Sequence, residues 1–282
     1  MNDYQSKKYN SGLPESAQKA LGAYMAIGGG VVDREHGQTG TSIFDPVLCE
    51  LVYTWFCPPN GYILDPFAGG SVRGIVAEYL GRRYVGVELR REQVEANRVQ
   101  AEAIGVSPTW IVGDSSNIRE LASGEYDLIF SCPPYYDLEV YSTLDGELSA
   151  LLTYGDFLDK YRAIVAGCVG MLKDDRFACF VVGDIRDRNG FYRGFVEDTV
   201  RAFEDTGMHK YNEAILVTAV GSLAIRVGKQ FESGRKLGKT HQNVLMFVKG
   251  DPQKATLACG PVEVLYLDSM AFAGNIDPAR DL

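Results

Sequence analysis

A glycine-containing turn between an apolar run and a helical pattern is the feature that most constrains the fold of this chain. The run Tyr62-Ile63-Leu64 leads into Asp65-Pro66-Phe67-Ala68-Gly69-Gly70-Ser71, and a helical pattern begins near Val72. A strand, a tight turn and a helix in immediate succession are typical of an α/β sheet with parallel strands. Since ligands of such sheets bind beyond the carboxyl ends of the strands, we expect this turn to border a binding crevice.

The rest of the chain continues the alternation of strands and helices. Six further strands are predicted at 83–88, 110–114, 126–130, 177–182, 211–220 and 243–248, and further helices at 45–56, 91–104, 154–172 and 195–207. The helix after the turn is expected to run from 72 to 80. The last two strands follow each other without a predicted helix, so a loop is expected between them. The predicted fold class is therefore α/β, with a seven-stranded, mostly parallel sheet and an antiparallel last strand.

The periodic elements divide the chain into three segments. Residues 1–40 are poor in pattern and rich in glycine, serine and charge, which predicts an N-terminal arm or loop. Residues 41–250 hold all the predicted strands and form one domain. Residues 251–282 form a C-terminal extension in which an apolar pattern at 262–267 indicates a single element.

Composition indicates an ordinary globular protein of the cytoplasm. The chain has 282 residues, of which 46% are hydrophobic and 23% charged, and its N-terminus lacks the apolar core of a signal peptide. No apolar run reaches the roughly 20 residues that span a bilayer. The six cysteines form no Cys-x-x-Cys pair, which predicts reduced thiols and no metal site.

Acidic residues end the first three strands at regular intervals. Glu88 lies 23 positions after Asp65, where a carboxylate can accept two ribose hydroxyls, and Asp114 is placed to reach an adenine amino group. Gly69 and Gly70 let a ligand approach the backbone closely, and the helix that follows offers its N-terminal N–H groups. The turn is neither Gly-x-Gly-x-x-Gly nor Gly-Lys-Ser/Thr, so a nucleoside is favoured over a dinucleotide or a triphosphate.

A second motif, Cys132-Pro133-Pro134-Tyr135, follows the strand at 126–130. Two loops at the carboxyl ends of parallel strands face the same crevice. We therefore interpret the loop at 65–71 as the cofactor cradle and this motif as the place of the chemistry.

The two motifs together resemble those of the S-adenosylmethionine-dependent DNA amino-methyltransferases, which modify adenine N6 or cytosine N4. The turn at 65–70 is similar to their cofactor loop, Asp-Pro-Phe-x-Gly-x-Gly, and the second motif to their catalytic loop, Asp/Asn/Ser-Pro-Pro-Tyr. The resemblance covers about residues 42–140 and the final strands. The chain departs from the pattern at Gly70, where the second glycine is displaced, and at Cys132, which replaces an acidic, amide or hydroxyl residue.

The resemblance implies a Rossmann-like class I methyltransferase fold over 41–250, with S-adenosylmethionine as cofactor. The implied cofactor-binding residues are Phe44, Asp65, Pro66, Phe67, Ala68, Gly69, Gly70, Ser71, Glu88, Leu89, Asp114 and Ser115. The implied catalytic residues are Cys132, Pro133, Pro134 and Tyr135.

The resemblance also implies how the catalytic loop works. An exocyclic amine is a weak nucleophile, so it must be aligned with the methyl group and its N–H groups must find acceptors. In this sequence the acceptors are Cys132 and the carbonyl of Pro133. Because a thiol accepts weakly, the carbonyl carries more of this role, or Ser131 helps. Tyr135 is expected to stack on the extruded base, so Tyr135→Phe is expected to keep most of the activity.

The implied partner is double-stranded DNA with one base flipped out of the helix. A net charge of −9 argues against a wholly basic surface, but a local basic stripe still attracts phosphate. Two short loops, 186–194 and 226–242, are expected to contact the target, and Thr240-His241-Gln242 resembles the corresponding segment of phage-like members. The predicted nucleic-acid contacts are Tyr136, Arg186, Arg193, Lys229, Arg235, Lys236 and Lys239.

Other functions remain compatible with the same loop. The enzyme is predicted to methylate adenine N6 or cytosine N4, as in restriction–modification systems. A methyltransferase acting on RNA guanine or on a protein glutamine carries a similar Pro-Pro-Tyr loop. A catalytically silent nucleic-acid-binding module with the same fold is the third alternative.

Overall fold

The computed structural model describes residues 44–138, 142, 144, 146–217 and 223–262, with the backbone alone for 223–226. The strands are β1 (Tyr62–Asp65), β2 (Arg83–Glu88), β3 (Thr109–Val112), β4 (Tyr126–Ser131), β5 (Leu172–Val182), β6 (His209–Val217) and β7 (His241–Lys249). The helices are α1 (Pro46–Phe56), α2 (Val72–Tyr79), α3 (Arg91–Ile104), α4 (Ile118–Leu121), α5 (Tyr154–Val169), α6 (Phe195–Glu204), α7 (Leu223–Gly234) and α8 (Pro252–Cys259). The predicted arm at 1–40 and nearly all of the apolar pattern at 262–267 lie outside the described residues.

The seven strands form one sheet in the order β3-β2-β1-β4-β5-β7-β6. The first five are parallel, and β7 lies antiparallel between β5 and β6. The α/β fold with a mostly parallel sheet and an antiparallel last strand is thus confirmed. Because β7 runs against β5, its first residues lie at the same edge as the carboxyl ends of β1 to β5.

Apolar side chains cover both faces of the sheet, which explains why β4 is buried along its whole length. On one face α5 and α6 pack aromatic rings against the central strands, and Phe203 stacks on Phe247 with ring centroids 4.1 Å apart. On the other face α1 and α2 cover Phe130, which meets Tyr53 edge to face. Helix α1 begins where expected, since the Asp45 carboxylate caps its first N–H groups and Pro46 occupies the first turn.

Helix α7 corrects the prediction of a loop between the last two strands. Leu223, Val227 and Phe231 recur at i, i+4, a helical spacing that the glycines at 228 and 234 and the basic residues obscured. Strand β5 also starts five residues earlier than predicted. Its charged first residues are stabilised as a strand because Lys173 and Arg176 both bind Asp127 at the start of β4.

Helix α8 at Pro252–Cys259 was not predicted, although Asp251 caps it and Pro252 opens its first turn. None of the helices formed by the described residues combines the length and the apolar character needed to cross a membrane.

Candidate cofactor and catalytic site

The carboxylate of Asp65, at the end of β1, is the buried centre of the site. Its Oδ1 accepts hydrogen bonds from Phe67 N (3.1 Å) and Ser131 Oγ (2.5 Å). Its Oδ2 accepts from Arg73 Nε (2.6 Å) and Tyr84 Oη (2.7 Å). Four protein donors thus occupy a side chain that is 0% exposed, so Asp65 shapes the site rather than facing a ligand.

Arg73 stabilises the candidate cofactor loop by hydrogen bonds to two of its backbone carbonyls. Its guanidinium donates to the carbonyls of Phe67 (2.6 Å) and Ala68 (3.0 Å) and lies 4.6 Å from the ring centroid of Phe44. Burial alone would lower the pKa of this guanidinium, but the Asp65 carboxylate holds the pKa above its ordinary value. Sequence reasoning missed Arg73, and the available signal was a charged residue on the otherwise apolar buried face of α2.

Glu88 closes β2 and supports the glycine turn. Its Oε2 accepts from Gly69 N (3.0 Å) and its Oε1 from Arg90 N (3.0 Å), while Asn97 donates to Gly69 O. Arg90 Nε makes a longer contact with the same Oε1, at 3.4 Å. A carboxylate has about four acceptor positions, so one remains for a ribose hydroxyl, and a second becomes available if the long Arg90 Nε contact is released. Gly69 has φ +51°, in the left-handed region where glycine is favoured.

Gly70 provides the test of whether a cofactor fits. Its φ does not lie in the left-handed region, and in the described structure no atom beyond its own chain neighbours lies within 4 Å of the position that a Cβ would occupy. Packing within the described protein therefore gives no reason for a glycine here. A ligand that lies directly against the backbone would be a reason for a glycine at this position. The N-terminus of α2 beside it has no side-chain cap, which suits the methionine end of S-adenosylmethionine.

The loop after β3 joins the same edge. Ser115 Oγ donates to Pro66 O, which ties this loop to the cofactor loop. Asp114 accepts from Ser116 N (2.9 Å) and from Lys160 Nζ (2.9 Å). Partial burial favours a higher pKa for Asp114, but these two donors outweigh it and hold the pKa below its ordinary value. Asp114 is thus a charged acceptor near the crevice.

The other residues predicted to bind the cofactor lie around this turn. Ser71 is buried and bonds Gln100, Leu89 is half-buried directly after β2, and Phe67 stacks on Tyr161 at 6.2 Å. Ala68 is fully buried, and its N–H donates to Val87 O at 3.0 Å.

The candidate catalytic loop (132–135) begins where β4 ends and is bonded to the candidate cofactor loop (65–71). Ser131 makes this link through Asp65, so the two loops meet through one carboxylate. Pro133 is buried and Pro134 half-buried. The hydroxyl of Tyr135 lies 3.8 Å from Cys132 Sγ and accepts a hydrogen bond from Gln242 on β7. Gln242 lies in the segment 226–242 that was predicted to contact the target, and its contact with Tyr135 was not predicted.

Tyr136 corrects one predicted nucleic-acid contact. Its side chain is 5% exposed, its hydroxyl donates to Leu152 O (3.1 Å), and its ring packs against Tyr154 and Phe157. We therefore assign Tyr136 to the core rather than to base stacking. Its φ of +46° is costly for a tyrosine, so these contacts also hold the turn that follows Tyr135.

Residues 185–193 form a short hairpin beside the catalytic loop. Arg186 and Tyr192 pair across it, and the Arg186 guanidinium lies 3.8 Å from the Tyr192 ring centroid. Arg193 stacks over Tyr136 at 5.0 Å and faces Asp137 at 3.7 Å, so it attaches the hairpin to the catalytic loop. Phe191 near the tip is 71% exposed and was missed as a candidate contact.

The basic residues after the sixth strand lie partly against this hairpin. Lys236 lies beside Gly190, and Lys239 lies 3.7 Å from Asp184 and 5.9 Å from the Tyr192 ring centroid. Arg235 packs on Phe231, and Lys229 is exposed on α7. Parts of the two predicted target loops therefore form one surface, which we call the basic hairpin face (186–192 and 235–239).

Comparisons with known proteins agree with this geometry. Residues 44–99 match the model of the DNA methylase family. Type II methyltransferase M2.DpnII of Streptococcus pneumoniae is 45% identical over 56 residues, which are 20% of this chain and 21% of that protein. The tRNA (guanine(10)-N2)-dimethyltransferase of Pyrococcus abyssi is 35% identical over 75 residues, 26% of this chain and 23% of that protein. The chain thus spans less than a quarter of the length of these curated relatives.

A solved structure extends the likeness to most of the chain. The methyltransferase of Pyrococcus furiosus superposes with a TM-score of 0.52 at 14% identity and covers 83% of this chain and 98% of that one. Sheet order and superposition show a Rossmann-like α/β fold shared with that methyltransferase. Residues 44–99 carry the sequence of the DNA methylase family, which confirms the resemblance for that segment. S-adenosylmethionine is the cofactor of that family, and the residues that hold it in this chain are a proposal.

Proposed function

We propose that this protein transfers a methyl group from S-adenosylmethionine to the exocyclic amine of a DNA base, adenine N6 or cytosine N4. One observation carries the proposal. Asp65 bonds the cofactor loop through Phe67 N and Arg73, and the catalytic loop through Ser131. A site that binds a methyl donor and a loop that binds an amine are thereby held at a fixed separation, which direct transfer requires.

The cofactor end of the site is assigned to the glycine turn and the strand-end carboxylates. Glu88 accepts the ribose hydroxyls while it holds Gly69, and Asp114, kept charged by Lys160, accepts the adenine amino group. Gly70 and the N-terminus of α2 receive the methionine part, beside Phe44. When bound, S-adenosylmethionine would supply the methyl group: its bond to sulfur would break with the electron pair left on sulfur, the bond to the amine nitrogen would form, and that nitrogen would release one proton to water.

The amine end is assigned to the catalytic loop. The carbonyl of buried Pro133 accepts one N–H of the target amine, and the thiol of the preceding residue, Cys132, is a weaker acceptor. The ring of Tyr135 stacks on the base and fixes its plane, so that the nitrogen lone pair points along the transfer axis. The chain's contribution is therefore alignment and charge stabilisation rather than covalent chemistry.

DNA contact is assigned to the basic hairpin face. Its lysines and arginines suit phosphates, and Phe191 and Tyr192 offer exposed aromatic rings beside them. Because Arg193 attaches the hairpin to the turn after Tyr135, contact at this face places a base near the catalytic loop.

RNA is the second candidate substrate, since one curated relative is a tRNA dimethyltransferase. Incubation of the protein with methyl-labelled S-adenosylmethionine and an equal mixture of unmodified plasmid DNA and transfer RNA separates the two. We expect label in the DNA fraction. Label in the RNA fraction alone would mean that RNA, and not DNA, is the substrate. Label in neither fraction would contradict nucleic-acid methylation.

A further inference from the structure

The antiparallel direction of β7 brings Gln242 to the catalytic loop. Gln242 is the second residue of β7 and pairs with Leu216 of β6. Its Nε2 donates to Tyr135 Oη at 2.5 Å, a contact between residues 107 positions apart in the chain. Gln242, the last residue of the segment Thr240-His241-Gln242, thus contacts Tyr135, the last residue of the motif Cys132-Pro133-Pro134-Tyr135.

The side chain of Tyr135 connects three parts of the site, two through its hydroxyl and one through its ring. The hydroxyl accepts a hydrogen bond from Gln242 and lies 3.8 Å from Cys132 Sγ. The ring packs edge to face against Phe195, with centroids 6.0 Å apart. An amide nitrogen only donates, so Oη accepts from Gln242 and keeps its own proton for donation, for which Cys132 Sγ is within reach. The first and last residues of the catalytic motif are therefore linked to β7 through one phenol.

We propose that Gln242 is a positioning residue for methyl transfer, which holds the ring of Tyr135 in the plane that the target base requires. The inference rests on the proposed function, because it concerns how Tyr135 receives a base. A half-buried ring at the edge of a crevice can rotate about two side-chain bonds, and its stacking helps only in one orientation. The Gln242 bond, together with Phe195, fixes that orientation before a base arrives.

The inference changes the expectation for Tyr135→Phe. If the ring alone were sufficient, removal of the hydroxyl would leave most of the activity. With Gln242 as the anchor, the same change releases the ring from β7. Tyr135→Phe and Gln242→Leu are then expected to have the same defect, since each removes one partner of a single bond.

The test measures kcat and cofactor affinity for four proteins: the parent, Gln242→Leu, Tyr135→Phe and the double variant. The substrates are unmodified plasmid DNA and labelled S-adenosylmethionine. We expect kcat to fall about tenfold in each single variant, as misalignment predicts, with an unchanged dissociation constant for the cofactor. The double variant is expected to be no slower than either single variant. Gln242→Glu is expected to restore kcat, since the phenol can donate to a carboxylate and keep the link.

Asn243→Leu is the matched control. Asn243 is the next residue of β7, points to the opposite face and bonds Glu213 at 2.7 Å, so its replacement tests general damage to the strand. Parent kcat in Gln242→Leu, or independent losses that multiply in the double variant, would overturn the inference while leaving the proposed function intact. A parent protein that transfers no methyl group to DNA would overturn both.

Discussion

Single residues fix the relative position of the two loops. Asp65 and Arg73 form a buried ion pair at 2.6 Å, and their remaining hydrogen-bonding groups bind Ser131, Tyr84 and the loop carbonyls. A buried pair of this kind contributes little net free energy, but removal of one partner leaves an uncompensated charge. Its value to the protein lies in the geometry that it imposes on the site.

Arg73→Met is therefore expected to lower the free energy of unfolding by about 3–5 kcal/mol, because the Asp65 carboxylate stays buried without its cation. Urea denaturation followed by circular dichroism measures the loss. The double variant Arg73→Met/Asp65→Asn is expected to recover part of it, and Arg91→Met, an exposed arginine on α3, serves as control. A loss no larger than that of the control would contradict the role given to this pair.

Glu88→Ala is expected to weaken S-adenosylmethionine binding at least tenfold. The variant cannot form two charge-assisted hydrogen bonds to the ribose, each worth about 1.5–3 kcal/mol, and Gly69 N no longer has its acceptor. Isothermal titration calorimetry measures the affinity, with Glu92→Ala in the exposed first turn of α3 as control. Parent-like affinity in Glu88→Ala would remove Glu88 from the cofactor site.

At the scale of elements, the hairpin at 185–193 and the segment at 235–239 act as one basic face. Lys236 lies against Gly190 and Lys239 beside Tyr192, so the basic side chains of the two segments lie on one continuous surface. Local sequence pattern predicted the charges in both segments but not their contact, which depends on where β5 and β7 bring the two segments together.

The triple variant Arg235→Ala/Lys236→Ala/Lys239→Ala is expected to raise the DNA dissociation constant and flatten its salt dependence. Each phosphate that no longer meets a cationic side chain reduces the log–log slope by about 0.9. Fluorescence anisotropy of a labelled duplex over a range of salt concentrations gives the slope. Lys254→Ala on α8 is the control, since Lys254 lies beside Asp175 near the start of β5, away from the catalytic edge. An unaltered slope in the triple variant would mean that these side chains do not bind phosphate.

Strands and the cofactor loop were predictable because their signals are local. Apolar runs, glycines and strand-end acids lie within a few residues of each other, and the sheet and the turn at 65–71 formed as expected. Tyr136 and Gln242 were not predictable in this way. The burial of Tyr136 depends on the aromatic rings of α5, and the role proposed for Gln242 depends on a contact across 107 positions.

At the scale of the whole molecule, a second charged cluster joins the central strands near their amino ends, opposite the candidate site. Asp127 accepts from Lys173 Nζ (2.9 Å), Arg176 Nε (3.0 Å) and Tyr62 N (3.1 Å), which joins β1, β4 and β5. Burial favours a higher pKa for Asp127, but these donors outweigh it and hold the pKa below its ordinary value. Buried carboxylates thus stabilise the central strands at both ends, Asp127 near the amino end of β4 and Asp65 at the carboxyl end of β1.

The lowered pKa of Asp127 predicts how stability depends on pH. The contribution of a carboxylate with a lowered pKa is fully present above its pKa in the unfolded chain, near 3.9, and disappears as pH falls through the folded value. Asp127→Asn is expected to cost about 1–3 kcal/mol at pH 7, and the difference from the parent is expected to shrink as pH falls below 4. Asp174→Asn, at a side chain that is 85% exposed, is the control for thermal unfolding at each pH. A difference that stays constant down to pH 2 would contradict the assignment.

The proposal that joins all these scales is that the two loops at the carboxyl edge of the sheet together methylate an amino group of DNA. The most direct measurement is nucleoside mass spectrometry of DNA from cells that lack their own amino-methyltransferases and express either the parent protein or Tyr135→Ala. We predict N6-methyladenine or N4-methylcytosine with the parent and a severe reduction with folded Tyr135→Ala, whose cofactor affinity stays unchanged. DNA without either modified base in cells that accumulate folded parent protein would contradict the proposal, as would equal modification by both proteins.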